Sequence, residues 1–188
     1  STIIMSISQV SETLFILAIP FFLKKYGIKK VMLISMLAWV LRFGLLGFSN
    51  PQDGLWMIIL SCVVYGMAFD FFNISGSLFV ETNTDSKMRS SAQGLFMMMT
   101  NGFGAVFGSL TSGWMIDKYF TKSFNNTQEL SQFLDTTPDN DLMMKFIESN
   151  GIKITNGVFD TALMFKDWEY IWLSFAAYAL IIAIFFAI

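Results

Sequence analysis

The 188-residue chain is 54% hydrophobic and 14% charged, whereas soluble domains are roughly 45–50% apolar and about 25% charged. This composition predicts a membrane protein, and the net charge of −2 argues against a nucleic-acid-binding surface. The chain has no histidine and a single cysteine, Cys62, which excludes a histidine-based triad, a zinc finger and an intrachain disulfide; we expect neither a metal nor a cofactor.

Five segments of the chain are apolar over the roughly 20 residues that a helix needs to cross a hydrocarbon core. In chain order they are residues 3–23, 31–48, 55–80, 91–116 and 170–188. They lack the polar face that helices of a soluble all-α core present to water. The sequence therefore predicts an all-α, polytopic membrane helix bundle, with four spans in residues 1–117 and the last span in residues 167–188. Since the first and last spans have almost no flanking sequence, we expect the chain to be part of a larger protein.

A lysine-rich loop sets the predicted orientation in the membrane. Residues 24–30, "KKYGIKK", carry four lysines, and the positive-inside rule places such a loop in the cytoplasm. By alternation, residues 81–90 and the carboxyl end are also cytoplasmic, whereas residues 118–166 form a periplasmic insertion. We therefore expect a multi-pass protein of the cell inner membrane.

The insertion is polar and acidic, as an external segment would be. The stretch from Asp117 to Glu169 holds nine acidic residues and five lysines. Residues 140–149 have the pattern of one amphipathic helix, which Gly151 would end. We expect a small surface cap in this part of the chain.

Polar side chains inside the predicted spans mark the candidate site, because they are costly in a hydrocarbon core. Four residues of the third span recur at helical spacings and share one stripe: Gly66, Asp70, Asn73 and Ser77. Tyr65 and Phe69 line the neighbouring stripe, so this helix presents a wall that is half hydrogen-bonding and half aromatic. Such a wall suits a ligand with a flat ring and a hydroxylated portion. In the first span, Glu12 stands three residues after Gln9 and forms a second polar wall with it.

The two membrane-embedded acids, Glu12 and Asp70, are candidates for carrying a proton. An ionised carboxylate at the bilayer centre costs about 2.5–3.5 kcal/mol, and keeping an aspartate protonated at pH 7 costs a similar amount, roughly 4 kcal/mol. A small change in surroundings can therefore load or release a proton at such a group. Arg42 is the one basic residue within the predicted spans, so it is the candidate charge partner. It could form a static link with Asp70, or the two acids could compete for it.

Long stretches of the chain resemble one transporter family. The similar stretches are "SISQVSETLFILAIPFFLKKYGIKKVM", "LAWVLRFGL", "VVYGMAFDFFNISGSLFVE", "RSSAQGLFMMMTNGFGAVFG" and "DWEYIWLSFAAY". In this order they resemble the second half of the nucleoside:proton symporters of the major facilitator superfamily. The resemblance implies the C-terminal bundle of a twelve-helix transporter, about helices 8 to 12, that works with the N-terminal half of the same protein in a lipid bilayer. It does not extend to residues 118–166, and Lys24 stands where the superfamily's gating loop usually has an acid.

The resemblance also implies a function and a site. The family's substrate contacts fall on Gln9, Glu12, Tyr65 and Phe69, and its membrane-embedded acid falls on Asp70. The implied activity is proton-coupled nucleoside uptake by alternating access, with the base stacked on Tyr65 or Phe69 and the proton carried by Asp70 or Glu12.

Two alternatives stay open. One is a transporter of the same superfamily for another small polar solute, such as a sugar. The other is a polytopic membrane enzyme that uses Glu12 and Asp70 as an acid–base pair. No nucleophile, metal cluster or phosphate-binding glycine loop accompanies these acids, so the sequence favours a transporter over an enzyme.

Overall fold

The computed structural model describes residues 2–49, 54–135 and 141–188. The chain divides into two compact units. The helical unit comprises Ser1–Ser112 and Trp168–Ile188, and the sheet unit comprises Gly113–Asp167. Each unit has its own buried apolar core.

The regular elements follow one another along the chain with short connections. In order they are α1 (Thr2–Phe48), α2 (Leu55–Asn83), α3 (Arg89–Met97), α4 (Gly104–Met115), β1 (Thr121–Asn126), α5 (Thr127–Phe133), α6 (Asp141–Ser149), β2 (Ile154–Thr155), β3 (Val158–Lys166) and α7 (Trp168–Ala187). π-helical turns follow α3 and α4, at Met98–Phe103 and Ile116–Phe120. Within the described residues, three stretches are long and apolar enough to cross a membrane: Ser8–Phe48, Leu55–Asn83 and Trp168–Ala187.

Helix α1 contains the first two predicted spans. Its backbone leaves helical geometry at Gly27, where φ is 77° and ψ is 168°. Because this positive φ is costly for residues with a side chain, glycine suits the break. The predicted loop 24–30 is thus a sharp bend between two helical segments. Ile19 and Val31, which lie on either side of the bend, both belong to a buried cluster around Phe71 of α2.

The predicted span 91–116 lies in one continuous stretch of helical backbone. In it α3 and α4 are joined by the π-helical turn Met98–Phe103, which widens the helix locally without ending it. The wider π turn brings backbone atoms close to Gly104, where an added Cβ would lie 2.9 Å from the carbonyl oxygen of Met99. The absence of a side chain at Gly104 therefore permits this turn.

Helix α3 packs on α2 through a glycine contact and two polar contacts. A Cβ on Gly76 would lie 2.6 Å from the ring of Phe96. The Ser77 hydroxyl donates to Oε1 of Gln93 at 2.9 Å, and Nε2 of Gln93 donates to the Ser77 carbonyl at 2.7 Å. An ion pair of 3.6 Å between Arg89 and Glu81 adds to these contacts. The start of α3 is therefore fixed to the end of α2.

The sheet unit is built on a three-stranded antiparallel sheet in the order β1-β3-β2. Its core combines side chains of the sheet with those of α5 and α6: Phe124, Leu130, Met143, Ile147, Phe159 and Leu163. Helix α6 confirms the amphipathic helix predicted at 140–149, apart from residue 140, which lies outside the described residues. Gly151 follows this helix with a φ of 72°, as is common at a helix end. The sequence pattern did not predict the three strands.

Candidate functional site

A glycine contact between α1 and α2 brings the two acids together. A Cβ added to Gly66 would lie 2.7 Å from the backbone nitrogen of Glu12 and 2.9 Å from its Cα, so the helices touch here because residue 66 has no side chain. Next to Glu12, the Ser11 hydroxyl donates a 2.6 Å hydrogen bond to the carbonyl of Val63. Asp70 follows Gly66 by four residues on the same face of α2. The backbone of Glu12 is therefore held about one helical turn along α2 from Asp70.

Asp70 is buried and incompletely paired. The residue is 9% exposed, and its Oδ2 atom has no hydrogen-bond partner among the described residues. The half-buried Glu12 lies within electrostatic range of it. A buried carboxylate oxygen without a donor is unfavourable, and two neighbouring carboxylates repel each other when both are ionised. The pair therefore suits the binding and release of a proton.

An aromatic wall lies on α2 beside Asp70. The rings of Tyr65 and Phe69 stack with their centroids 5.7 Å apart and their planes at 26°. Trp39 of α1 meets the ring of Tyr65 edge-on at 5.9 Å. Phe69 is 39% exposed, so the stack ends in an open aromatic surface. A flat ring can stack on such a surface.

Arg42 does not pair with either acid. Its guanidinium carbon lies 4.1 Å from the ring centroid of Tyr65 and 5.3 Å from that of Trp39. In the described part of the chain, the ion pairs are Arg89–Glu81 and Lys166–Asp117. The static Arg42–Asp70 link that the sequence allowed is thus not present in the structure. The cause is helical geometry: Tyr65 and Asp70 are five residues apart, which places their side chains about 140° apart around α2 and about 7.5 Å apart along it.

The ring contacts offset only part of the cost of burying Arg42. A charged residue at the centre of a membrane helix costs about 2.5–3.5 kcal/mol, whereas a cation–π contact contributes about 0.5–2 kcal/mol. The Nε and Nη1 atoms of Arg42 are buried and have no hydrogen-bond partner among the residues that the structure describes. Two of the three guanidinium nitrogens of this half-buried residue therefore lack the acceptors that normally accompany a buried arginine.

The other polar residues predicted at the site differ in exposure and in the hydrogen bonds that their side chains form. Gln9 is exposed, so its amide is available on α1. Asn73 donates from Nδ2 to the carbonyl of Phe69 at 2.9 Å, and Ser77 is bonded to Gln93 of α3. Asn73 and Ser77 of the polar stripe on α2 are therefore hydrogen-bonded within the bundle, whereas Asp70 keeps a buried oxygen that no described residue contacts by a hydrogen bond.

Trp39 and Gly66 both shape the site, and the sequence pattern did not predict these roles. Trp39 contacts both Arg42 and Tyr65, and its position three residues before Arg42 on the same helix face is the signal that could have shown it. Gly66 was predicted on the polar stripe, but its contribution is to admit the backbone of Glu12. A glycine within a stripe of larger residues is the sign of such a close approach.

Among the described residues, apolar helices hold an acid with a buried, unpartnered oxygen beside an open aromatic wall, an arrangement that is typical of the ligand and ion sites of membrane transport proteins. Residues 1–137 match the family described as nucleoside H+ symporter. The chain belongs to this family, which confirms both the resemblance seen in the sequence and the predicted membrane helix bundle of the major facilitator superfamily.

Individual relatives match nearly the whole chain. The nucleoside permease NupG of Escherichia coli (strain K12) is 45% identical over 184 residues, which cover 97% of this chain and 34% of the relative. The xanthosine permease of the same organism is 46% identical over 186 residues, covering 98% of this chain and 35% of the relative. The crystal structure of nucleoside transporter NupG gives a TM-score of 0.70 at 44% identity, covering 98% of this chain and 36% of that chain. This chain thus spans about a third of the length of the curated relatives it matches.

Proposed function

We propose that the chain is the C-terminal part of a transporter that takes up nucleosides together with protons across the cell inner membrane. The observation that carries this proposal is the buried Oδ2 of Asp70, which has no hydrogen-bond partner in the described part of the chain and lies near Glu12 and directly after Phe69 on α2. The relatives named for nucleosides and for xanthosine support the choice of substrate. An enzyme is not proposed, because these relatives are named as permeases.

In this proposal the nucleoside binds against the aromatic wall of α2 and the polar wall of α1. The base stacks on Phe69 or Tyr65, and Gln9 and Glu12 form hydrogen bonds with the ribose hydroxyls or the base edge. Asp70 or Glu12 carries the proton. This bundle and the N-terminal half of the same transporter then rock around the loaded site, so that it opens to each side of the membrane in turn.

The membrane potential supplies the driving force for this uptake. One positive charge that moves inward releases roughly 2.3 kcal/mol per 100 mV, which corresponds to about a fiftyfold concentration ratio for a neutral solute. Coupling to a single proton is therefore enough to accumulate a dilute nucleoside.

We also propose the orientation in the bilayer. Residues 24–30, residues 81–90 and the carboxyl end face the cytoplasm, and residues 118–166 are a periplasmic insertion that contains the sheet. The four lysines at 24–30 and the excess of acidic residues between Asp117 and Glu169 support this orientation. The partners of the chain are then the lipid bilayer, the N-terminal half, a nucleoside and a proton.

Uridine accumulation by the full-length transporter under an imposed membrane potential tests the proposed function. Asp70→Asn and Glu12→Gln should lower the accumulation ratio from about fiftyfold at 100 mV toward equality, because an amide cannot bind and release the proton. Asp85→Asn is the matched control, since Asp85 is an exposed acid in the segment 81–90. Proton-driven accumulation that persists in both site variants would contradict the proposal.

A competition assay separates the proposed substrate from a sugar. Unlabelled nucleosides should block the uptake of labelled uridine, and ribose or glucose should not. Inhibition by ribose or glucose at concentrations where nucleosides have no effect would instead assign the site to a sugar.

A further inference from the structure

We propose that Arg42 is a positioning residue for nucleoside binding: it holds the ring of Tyr65, and through it the stack with Phe69, in the orientation that receives the base. This inference rests on the proposed function and adds to it a residue that contacts neither the nucleoside nor the proton. The geometry thereby gives the guanidinium a role other than that of a charge partner for Asp70.

The contacts around Tyr65 support this role. The guanidinium of Arg42 lies over the ring at 4.1 Å from its centroid, and Trp39 meets the same ring edge-on at 5.9 Å. Phe69 stacks with the ring at 5.7 Å. Tyr65 is thus contacted by a cation, a perpendicular indole ring and a second aromatic ring, and Phe69 remains 39% exposed at the open end of the stack.

The missing hydrogen bonds of Arg42 argue against a purely structural role. A buried arginine that stabilises a fold normally donates to carboxylates or carbonyls. Here Nε and Nη1 are buried without an acceptor among the described residues. An apolar side chain of similar length would pack in this position without that cost. The interaction that the guanidinium does make is with the aromatic wall, so its effect is expected on the wall and hence on the ligand.

A ring that is already held in place improves binding by a simple mechanism. A nucleobase that stacks on a mobile side chain must order that side chain when it binds, and this ordering lowers affinity. Because Arg42 and Trp39 hold Tyr65 before the nucleoside arrives, the stack with Phe69 is preorganised. Loss of Arg42 should therefore weaken binding and leave the coupling of protons to transport intact.

The test is a double-mutant cycle on the uridine affinity of the purified full-length transporter, measured by titration calorimetry. Arg42→Met should weaken uridine binding about fivefold, the size of one cation–π contact. Arg42→Lys, which keeps the charge but not the planar group, should give an intermediate affinity. In a Tyr65→Leu background, Arg42→Met should change the affinity by less than about twofold, because the ring it positions is gone.

Two further measurements separate positioning from other roles. The number of protons taken up per uridine and the pH midpoint of transport should be the same for Arg42→Met as for the native protein. Lys118→Met is the matched control, because Lys118 also lies over aromatic rings, at 4.7 Å from Trp114 and 5.3 Å from Tyr119, yet is not part of the site; its uridine affinity should be native.

Several results would overturn the inference. Native affinity of Arg42→Met, or an equal loss of affinity with and without Tyr65, would show that Arg42 does not act through the ring. A changed proton count or pH midpoint would make Arg42 a charge partner after all. If Arg42→Met does not fold, the same cycle with Arg42→Lys decides the question. Failure of the proposed function is a separate outcome, since the native transporter would then not bind uridine.

Discussion

Replacing Gly66 by alanine should force apart the helices that hold Glu12 and Asp70. The added Cβ would lie 2.7 Å from the Glu12 nitrogen, whereas ordinary van der Waals contacts begin near 3.4 Å. The helices must therefore separate by about 0.7 Å at this point, because the obstructing atoms belong to the backbone and cannot rotate away. Overpacking of this kind costs about 1–3 kcal/mol of stability. Since a misplacement of about 1 Å at a site can cost about a hundredfold in rate, we expect about a tenfold loss of uptake here.

Initial rates of uridine uptake and the thermal unfolding of the full-length transporter measure this effect. Gly44→Ala is the matched control, because an added Cβ at this helical glycine of α1 meets no atom within 4 Å. The control should keep its uptake and melt at or slightly above the native temperature, since alanine favours a helix. If Gly66→Ala takes up uridine and unfolds like Gly44→Ala, the close contact does not set the geometry of the site and the reasoning fails.

Two further substitutions test the aromatic wall and the sheet unit. Phe69→Leu should weaken uridine binding about three- to tenfold, because leucine loses the aromatic pairing worth about 0.5–1.5 kcal/mol beyond its area; an unchanged affinity in titration calorimetry would place the base elsewhere. Ile147 is 1% exposed in the core of the sheet unit, so Ile147→Ala should destabilise that unit by about 2–5 kcal/mol. Hydrogen exchange over residues 113–167 measures the loss, and protection equal to that of the exposed-site variant Met164→Ala would contradict the described core.

Much of the candidate site could be predicted from the cost of polar groups in a membrane. Asp70 and Glu12 are acids within apolar spans, and the structure brings them together where α2 touches α1. Helical spacing placed Tyr65 and Phe69 next to each other, and their rings stack. These predictions needed only the periodicity of one helix and the energetic penalty for charge in hydrocarbon.

Contacts between helices were harder to predict. The contact of Arg42 with Tyr65 instead of Asp70 depends on which face of α2 meets the second segment of α1, and no spacing within one helix determines that face. The single-residue bend at Gly27 likewise depends on contacts between helical segments that are distant in the sequence. Positive charge at 24–30 indicated a loop, whereas the packing of apolar residues on both sides of the bend holds the two segments together.

The strands of the sheet unit depend on pairings between distant residues. In the register of β1 and β3, Thr121 lies opposite Lys166 and Phe124 lies opposite Leu163. Strand β1, "TKSFNN", is short and mostly polar, with Phe124 as its buried residue, so it has no alternating pattern of its own. Helix α6, in contrast, carries its signal locally, and the sequence predicted it.

A structure of the full-length transporter with uridine bound tests the central claim most directly. We expect the base to stack on Phe69 or Tyr65, the ribose or base edge to accept hydrogen bonds from Gln9, and the carboxyl groups of Glu12 and Asp70 to face the same cleft. Uridine bound away from these rings, with Asp70 turned toward lipid or bulk water, would contradict the account.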